Sequence, residues 1–241
     1  MTRICVIIPA LNEEAALPAV FKQLSLSETD EVVVVDGGSR DSTVAIAQAY
    51  GAKVVHSQSG RAIQFNTGAK AVSDGSASRQ DDVFLFLHAD TCLPEDGLDA
   101  IRKAMSRQAG DGKFVGGAFR LAIEPATFSL GFIANIVNLR SRWLHLPYGD
   151  QALFVRRGIF EKLNGFTPMP IMEDVDFVKR LRMQGQVVLL KQKVVTSARR
   201  WLANGPWRTT WTNWRAIWKY HRGESADSIR VFYDRKLANG K

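Results

Sequence analysis

A histidine and a carboxylate two residues apart end a strongly apolar run of the chain. The run Phe84–Leu87 predicts a buried strand, and His88, Ala89 and Asp90 follow it directly. Residues two apart on an extended chain point the same way, so His88 and Asp90 could face one ligand together. A divalent metal or a diphosphate suits such a pair. The alternative is a strand-end turn in which Asp90 caps a following helix.

Two further carboxylates follow predicted strands early in the chain. Glu13 comes shortly after the strand Ile4–Ile8, and Asp36 comes directly after Val32–Val35. Carboxylates at neighbouring strand ends can accept hydrogen bonds from ribose hydroxyls and base N–H groups, which predicts a nucleoside-like ligand. An ordinary Asp-Gly turn is the alternative for Asp36. No glycine-rich turn follows the first strand, so neither a dinucleotide fingerprint nor a P-loop is present.

Charged residues at two predicted helix starts complete the candidate site. Arg61 stands at a helix entry, where an arginine beside the helix N-terminus suits a phosphate; a solvated arginine is the alternative. Glu173, Asp174 and Asp176 stand at another helix entry. The presence of Asp176 in the first turn is accounted for by its interaction with the helix dipole. Glu173 and Asp174 are flanked by apolar residues, an environment that raises the basicity of a carboxylate and suits a general base.

The elements that must position these residues alternate between strand and helix in the first half of the chain. A turn and a helix are predicted at 12–24, and helices at 41–50 and 61–72. Strands are predicted at Ile4–Ile8, Val32–Val35, Lys53–His56 and Val83–Leu87. Such alternation implies parallel pairing with right-handed crossovers. The polar segment 73–82 is predicted to be a surface loop.

The second half of the chain is less regular. Its predicted strands are 113–123, 152–156, 187–190 and 194–196, and its predicted helices are 127–142, 172–184, 206–221 and 225–237. The sequence shows no internal repeat, and no linker separates the two halves. We therefore expect one α/β domain over residues 1–241.

The composition narrows the class of protein. The chain has 241 residues, of which 46% are hydrophobic, as is typical of a globular protein. Its 32 basic and 24 acidic residues give a net charge of +8, which suits a phosphate-bearing ligand, nucleic acid or an anionic membrane; solubility is the simpler interpretation. Two cysteines build neither a disulfide framework nor a zinc site, and no signal peptide or membrane span is predicted, so we expect a cytoplasmic protein.

In order and spacing, the motifs resemble those of family-2 glycosyltransferases of the GT-A fold. The segments that carry the likeness are 7–14, 35–43, 88–91 and 172–177. The resemblance implies a mostly parallel central sheet flanked by helices. It divides the domain into a nucleotide-sugar-binding half (1–112), an acceptor and catalytic half (113–200) and a helical C-terminal tail (201–241). The segments 116–121, 148–151 and 199–201 further resemble a bacterial subgroup described as arsenosugar-biosynthesis-type glycosyltransferases.

The resemblance also implies a role for each candidate residue. The donor, a nucleotide-diphosphate sugar, would be bound by Pro9, Glu13, Asp36, Asp41, Arg61 and Ala89. Asp174, beside Glu173, matches the general base that deprotonates the acceptor hydroxyl, which then attacks the anomeric carbon with inversion. For Asp41, a cap on the following helix is the alternative.

The segment 88–90 matches the family's Asp-x-Asp, in which carboxylates hold Mn²⁺ or Mg²⁺ on the donor diphosphate. Here His88 replaces the first aspartate, and Asp90 keeps the second. Because Mn²⁺ accepts imidazole more readily than Mg²⁺ does, three outcomes stay open. The chain prefers Mn²⁺, binds metal weakly, or uses cations such as Arg61 and Arg199 instead.

A stripe of tryptophans marks the predicted helix 206–221. The stripe consists of Trp207, Trp211, Trp214 and Trp218, and basic residues accompany it at Arg208, Arg215, Lys219 and Arg222. One interpretation packs the tryptophans on the domain. A second places 206–222 on the inner face of a membrane, which suits a lipid-linked rather than a small-molecule hydroxyl acceptor. A homodimer interface is the third.

Two other classes of function compete with the glycosyltransferase. A non-enzymatic nucleic-acid-binding protein explains the charge and the aromatic residues but leaves the acidic motifs unexplained. A nucleotidyltransferase on a related sheet is expected to show a glycine-rich, basic loop after the first strand, where 9–14 offers none. We therefore expect no nucleic-acid partner.

Overall fold

The computed structural model describes residues 2–72, 80–109, 112–144 and 146–238, and its centre is an eight-stranded sheet. The strands of this sheet are β1 (Ile4–Ala10), β2 (Glu31–Asp36), β3 (Lys53–His56), β4 (Val83–Phe86), β5 (Thr91–Cys92), β8 (Gly116–Glu124), β9 (Leu153–Arg156) and β10 (Val187–Ser197). A separate two-stranded ribbon joins β6 (Gln108–Ala109) to β7 (Gly112–Lys113). Runs of β-branched residues such as Val32–Val35 explain the strands, because they fit a sheet buried on both faces.

The strands lie in the order β3-β2-β1-β4-β9-β8-β10-β5. Parallel pairs join β1 to β2 and β4, β2 to β3, and β8 to β10. Strand β9 runs antiparallel to β4 and β8, and β5 runs antiparallel to β10. The predicted fold class is confirmed, since strands β1 to β4 pair with one another in parallel and four of the seven strand pairs in the described part of the sheet are parallel.

Helices cover both faces of the sheet. They are α1 (Leu17–Lys22), α2 (Thr43–Ala49), α3 (Arg61–Ala71), α4 (Gly97–Ser106), α5 (Phe128–Leu144), α6 (Arg157–Lys162), α7 (Glu173–Arg182), α8 (Arg199–Asn204), α9 (Pro206–His221) and α10 (Ala226–Ala238). Successive residues of β1 divide the core: Ile8 packs in the layer that includes Leu17 and Ile133, and Ile7 in the layer that includes Phe65 and Phe177. This alternation is the period of a strand buried on both faces.

Helix α3 lies unusually close to the sheet at Gly68. A Cβ at this position would overlap Cγ2 of Ile7 and lie 2.8 Å from Cγ2 of Val35. Only a residue without a side chain permits this approach. The close packing fixes α3 against β1 and β2 and so fixes the position of Arg61, its first residue.

Several elements differ from the prediction. The two strands expected at 187–190 and 194–196 are one strand, β10, whose register with β8 shifts between Leu189 and Lys193. Helices α6 and α8 have six residues each, too few for a periodic pattern to reveal. Helix α4 begins only at Gly97, so Asp90 caps no helix, and that alternative was wrong. Residues 73–79 of the predicted loop lie outside the described residues.

The tryptophan stripe of α9 faces outward rather than into the domain. Side-chain exposure is 58% at Trp207, 60% at Trp211, 42% at Trp214 and 54% at Trp218. The buried residues of this helix are Thr209, Thr212 and Ala216. The interpretation in which the stripe packs on the domain was therefore wrong, because smaller residues make that contact.

Candidate active site

One edge of the sheet gathers the residues predicted from the strand ends. Strands β1, β2 and β4 are parallel neighbours, so their carboxyl ends meet at the same edge. Glu13 follows β1, Asp36 ends β2, and His88 and Asp90 follow β4. Pro9 and Ala89 are buried backbone positions of the same edge. Ligands of open α/β sheets bind at such an edge.

Asp36 shapes the loop after β2. Its carboxylate is 2% exposed and accepts hydrogen bonds from the N–H groups of Gly38 (3.0 Å) and Ser39 (3.1 Å), and its Oδ2 lies 3.2 Å from Nδ1 of His56. Burial alone would raise the pKa of Asp36, but the hydrogen bonds outweigh it and lower the pKa. The Asp36 carboxylate thus stabilises the predicted Asp-Gly turn. The nucleoside of a bound donor would have to share this carboxylate with His56.

Asp41 joins the loop after β2 to the loop after β1. Its carboxylate accepts hydrogen bonds from the hydroxyl and the N–H of Thr43, and from the N–H of Glu14 at 3.2 Å. The hydrogen bond from the Thr43 hydroxyl is the main cause of a lowered pKa at Asp41. Glu14 in turn accepts the N–H of Ser42 at 2.9 Å. The hydrogen bonds of Asp41 are therefore made within the protein, and they hold the two loops together.

Arg199 connects the residues predicted for the nucleoside and for the diphosphate. Its Nη2 donates to Oε1 of Glu13 at 3.0 Å and lies 3.7 Å from Oδ2 of Asp90. Arg199 is the first residue of α8, which follows β10 directly. One guanidinium thus lies between two carboxylates that are far apart in sequence, as a bound cation would.

His88, which follows β4, and Asp174, which lies in α7, are both close to Gly149. A Cβ at Gly149 would lie 3.2 Å from Nε2 of His88 and 3.2 Å from Oδ2 of Asp174. His88 also meets the ring of Phe65 edge-on at 6.0 Å. Burial lowers the pKa of His88 well below its usual value, and the charges of Arg61 and Arg200 lower it further. The imidazole is therefore neutral at pH 7.

The two carboxylates at the start of α7 have different partners. Asp174 accepts the N–H of Gly149 at Oδ2 and the N–H of Val175 at Oδ1, both at 2.8 Å. Glu173 is 4% exposed and lies 3.7 Å from Nη1 of Arg61. Burial, and then the charge of Asp174, raise the pKa of Glu173. The structure thus brings Arg61 to Glu173, and Asp174 to the turn that carries Gly149.

Asp150 and Arg140 extend the site beyond the residues chosen from sequence. Oδ1 of Asp150 is buried without a hydrogen-bond partner, as are Nε and Nη2 of Arg140, whose guanidinium lies 3.8 Å above the ring of Tyr148. Burial raises the pKa of Asp150, while Arg140 lowers it and Asp174 raises it again. Buried polar atoms without hydrogen-bond partners are costly, so both groups are suited to a ligand. The segment 148–151 entered the family resemblance, but no role was assigned within it.

Few side chains that could bind a metal lie together at this site. No group of three or more His, Cys, Asp or Glu side chains in the described ranges could hold a metal ion. The neutral imidazole of His88 and the half-buried carboxylate of Asp90 are competent ligands for Mn²⁺, but they are only two. By its chemistry such a pair would need further ligands, which a bound diphosphate could supply.

The fold is that of the GT-A glycosyltransferases. S. aureus TarS residues 1–349, in a crystal structure with UDP, superimposes with a TM-score of 0.58 at 16% identity, covering 98% of this chain and 71% of that one. Glucosyl-3-phosphoglycerate synthase from Mycobacterium tuberculosis, in complex with Mn²⁺, UDP-glucose and phosphoglyceric acid, gives 0.57 at 19% identity, covering 87% and 78%. At these identities the likeness shows the fold alone.

The chain can also be assigned to a sequence family, which is a narrower class of proteins than the fold. Residues 5–162 match the family Glycosyl transferase family 2, and the chain belongs to this family. The curated 4,4'-diaponeurosporenoate glycosyltransferase of Staphylococcus haemolyticus is 37% identical over 108 residues, which are 44% of this chain and 29% of that protein. The match thus spans less than a third of that relative.

Proposed function

We propose that this protein transfers a sugar from a nucleotide-diphosphate sugar to an acceptor hydroxyl, inverting the anomeric carbon. The observation that carries the proposal is the arrangement at the sheet edge. Arg199 joins Glu13 to Asp90, and Gly149 lies between His88 and Asp174. Carboxylates for a nucleoside, cations for a diphosphate and a carboxylate for an acceptor hydroxyl thus follow one another along one edge.

The donor would occupy the loops after β1 and β2. Glu13 and Asp36 supply acceptors for ribose hydroxyls or base N–H groups. Arg199 and Arg61 supply N–H donors that match phosphate oxygens in geometry and charge. The complexes named for TarS with UDP and for the mycobacterial synthase with UDP-glucose support a uridine nucleotide as the first donor to test.

A divalent metal is part of the proposal. Asp90 and His88 would hold Mn²⁺ or Mg²⁺, and the ion named in the mycobacterial synthase complex supports Mn²⁺. When bound, such an ion offsets the negative charge of a departing diphosphate. Arg199, already 3.7 Å from Asp90, adds positive charge at the same place.

The acceptor would meet three groups of this chain. Asp174 is oriented by two backbone N–H groups and takes the hydroxyl proton as general base. Asp150 and Arg140 offer an unpaired carboxylate oxygen and two unpaired N–H groups to the rest of the acceptor. These groups suit an acceptor that carries further hydroxyl and anionic or carbonyl groups. The likeness to the arsenosugar-biosynthesis subgroup stays a prediction.

Donor binding tests the proposal first. Thermal shifts would be recorded with nucleoside diphosphates and sugar nucleotides, each with and without Mn²⁺. We expect stabilisation by at least one uridine nucleotide that increases with Mn²⁺. Stabilisation by none of the nucleotides would refute the donor site.

The base is tested by Asp174→Asn. We expect this variant to keep its donor-dependent thermal shift and to lose about 10²- to 10⁴-fold in turnover, since an amide cannot take the proton. Asp176→Asn is the matched control on the same helix, because Asp176 bonds to Thr167, Arg180 and Tyr220 rather than to the site. Turnover at the wild-type rate by Asp174→Asn would remove Asp174 from this role.

A further inference from the structure

Helix α9 presents its largest apolar side chains to the exterior. Trp207, Trp211, Trp214 and Trp218 lie within about 60° of arc on this helix, since successive residues are about 100° apart. All four are at least 42% exposed. Aromatic side chains of this size are normally the first to be buried, because each covers a large apolar area. Four of them in one exposed row indicate a surface that contacts something other than water.

Helix α5 continues this apolar surface. Its exposed residues Phe128, Phe132, Leu139 and Trp143 also lie within about 60° of arc on the helix. The ring centroids of Phe132 and Trp207 are 6.0 Å apart, so the two rows meet. Between the helices lies a groove of about 370 Å³, lined by side chains that include Ile136 and Trp214. We use the term aromatic surface for these eight side chains.

Positive charge adjoins the aromatic surface on the side of α10. Trp211 lines both the apolar groove and a second groove of about 790 Å³, whose basic residues are Arg208, Arg215, Arg235 and Lys236. Arg222 directly follows α9, and its guanidinium lies 4.6 Å from the centre of the Trp218 ring. Neither α5 nor α9 contains an aspartate or glutamate. The exposed apolar row is therefore bordered by arginines and lysine, with no acidic residue on either helix that forms it.

We propose that the aromatic surface and its basic border bind the surface of an anionic lipid bilayer. Tryptophan suits the boundary between headgroups and acyl chains, because its ring is apolar and its N–H is polar. Arginines beside it are attracted to negatively charged headgroups. No helix among the described residues is long and apolar enough to cross a membrane, so the contact is one of helices lying on the bilayer. The surface shares no residue with the candidate active site, and the inference goes beyond the proposed transfer reaction.

Vesicle flotation of the full chain tests the proposal. Vesicles of phosphatidylcholine alone would be compared with vesicles containing about one third phosphatidylglycerol. We expect binding to the anionic vesicles that weakens as salt increases, with the tryptophan emission quenched by brominated lipid in the same vesicles. Absence of binding to either vesicle would overturn the proposal, whatever the donor-binding experiments show.

Matched variants locate the contact. We expect the double variant Trp207→Ser with Trp211→Ser to weaken vesicle binding at least tenfold. We expect the same of Arg215→Glu with Arg235→Glu, since one basic residue near a bilayer contributes about a fivefold change in affinity. Leu26→Ser with Met183→Ser, and Lys22→Glu with Lys70→Glu, alter exposed residues elsewhere and should leave binding unchanged. Equal loss in test and control pairs would contradict the assigned surface. A stable dimer in light scattering that does not bind vesicles would also contradict the proposal, because the surface would then join two copies of the chain.

Discussion

Substitution of Gly149 by alanine tests whether the position of Asp174 limits the reaction. The added Cβ would lie 3.2 Å from Oδ2 of Asp174, 3.2 Å from Nε2 of His88 and 3.4 Å from Cβ of Asp174. Contacts near 3.2 Å are tighter than ordinary van der Waals separations, so both side chains must move by a few tenths of an ångström. The N–H of residue 149 stays in place and still donates to Asp174.

The expected loss follows from the size of that displacement. A misplacement of about 1 Å can cost about 100-fold in rate, so a few tenths correspond to a loss of about three- to tenfold. Donor affinity should change less than about twofold, because Glu13 and Asp36, the carboxylates proposed to bind the donor, do not contact Gly149. Global stability should fall only slightly, by less than about 1 kcal/mol, since two side chains can relax outward.

The assay is release of nucleoside diphosphate from the sugar nucleotide found in the donor screen, at saturating donor, with the acceptor varied. Gly131→Ala is the matched control: a Cβ there meets no atom within 4 Å, and alanine stabilises a helix interior by about 0.5–1 kcal/mol. We expect Gly131→Ala to keep the wild-type kcat. A wild-type kcat for Gly149→Ala would refute the reasoning, as would a loss that appears only in donor affinity.

Three further predictions concern stability. Gly68→Ala should destabilise the fold by about 1–3 kcal/mol in denaturant unfolding, because its Cβ overlaps Ile7 and presses on Val35. The folded-state pKa of Asp36 lies below its ordinary 3.8, so ionised Asp36 stabilises fully above that pH and less as pH falls through the folded pKa. Asp36→Asn should lower the Tm at pH 7, and the difference from the wild type should shrink as pH falls below 3.8. The pKa of Asp150 is raised, so its ionisation destabilises as pH rises through the folded pKa; Asp150→Asn should raise the Tm at pH 7 but not at pH 3.

The residues that sequence predicted well are those governed by local pattern. The run Val32–Val35 is β-branched and apolar, and it forms β2 because no other element buries four such side chains on two faces. Asp36 and Asp90 were expected at one edge because parallel strands end there and a residue after a strand is placed by the strand; their roles stay predictions. The same rule gave Glu13 and His88.

The contacts that sequence missed join distant segments of the chain. Arg199 was predicted only as a cation in place of a metal, because its pairing with Glu13 joins positions 186 residues apart and Arg199 starts a helix of only six residues. Asp150 lies in the short turn Gly149–Gln151, which has no periodicity to detect. For α9, the pattern identified the tryptophan row but not its direction, because the opposite row of small residues, with Thr209 and Ala216, also packs well.

The bridge from Arg199 to Glu13 and Asp90 has a consequence for synthesis on the ribosome. Strands β1 to β4 find their parallel partners within the first 86 residues, so this half of the sheet can pair while the rest of the chain is still being made. The cation that joins its two carboxylates arrives only with residue 199. A nascent chain therefore has the strands of the proposed donor site long before it has the site, so a nucleotide that stabilises the finished protein as we propose would not stabilise its early folding.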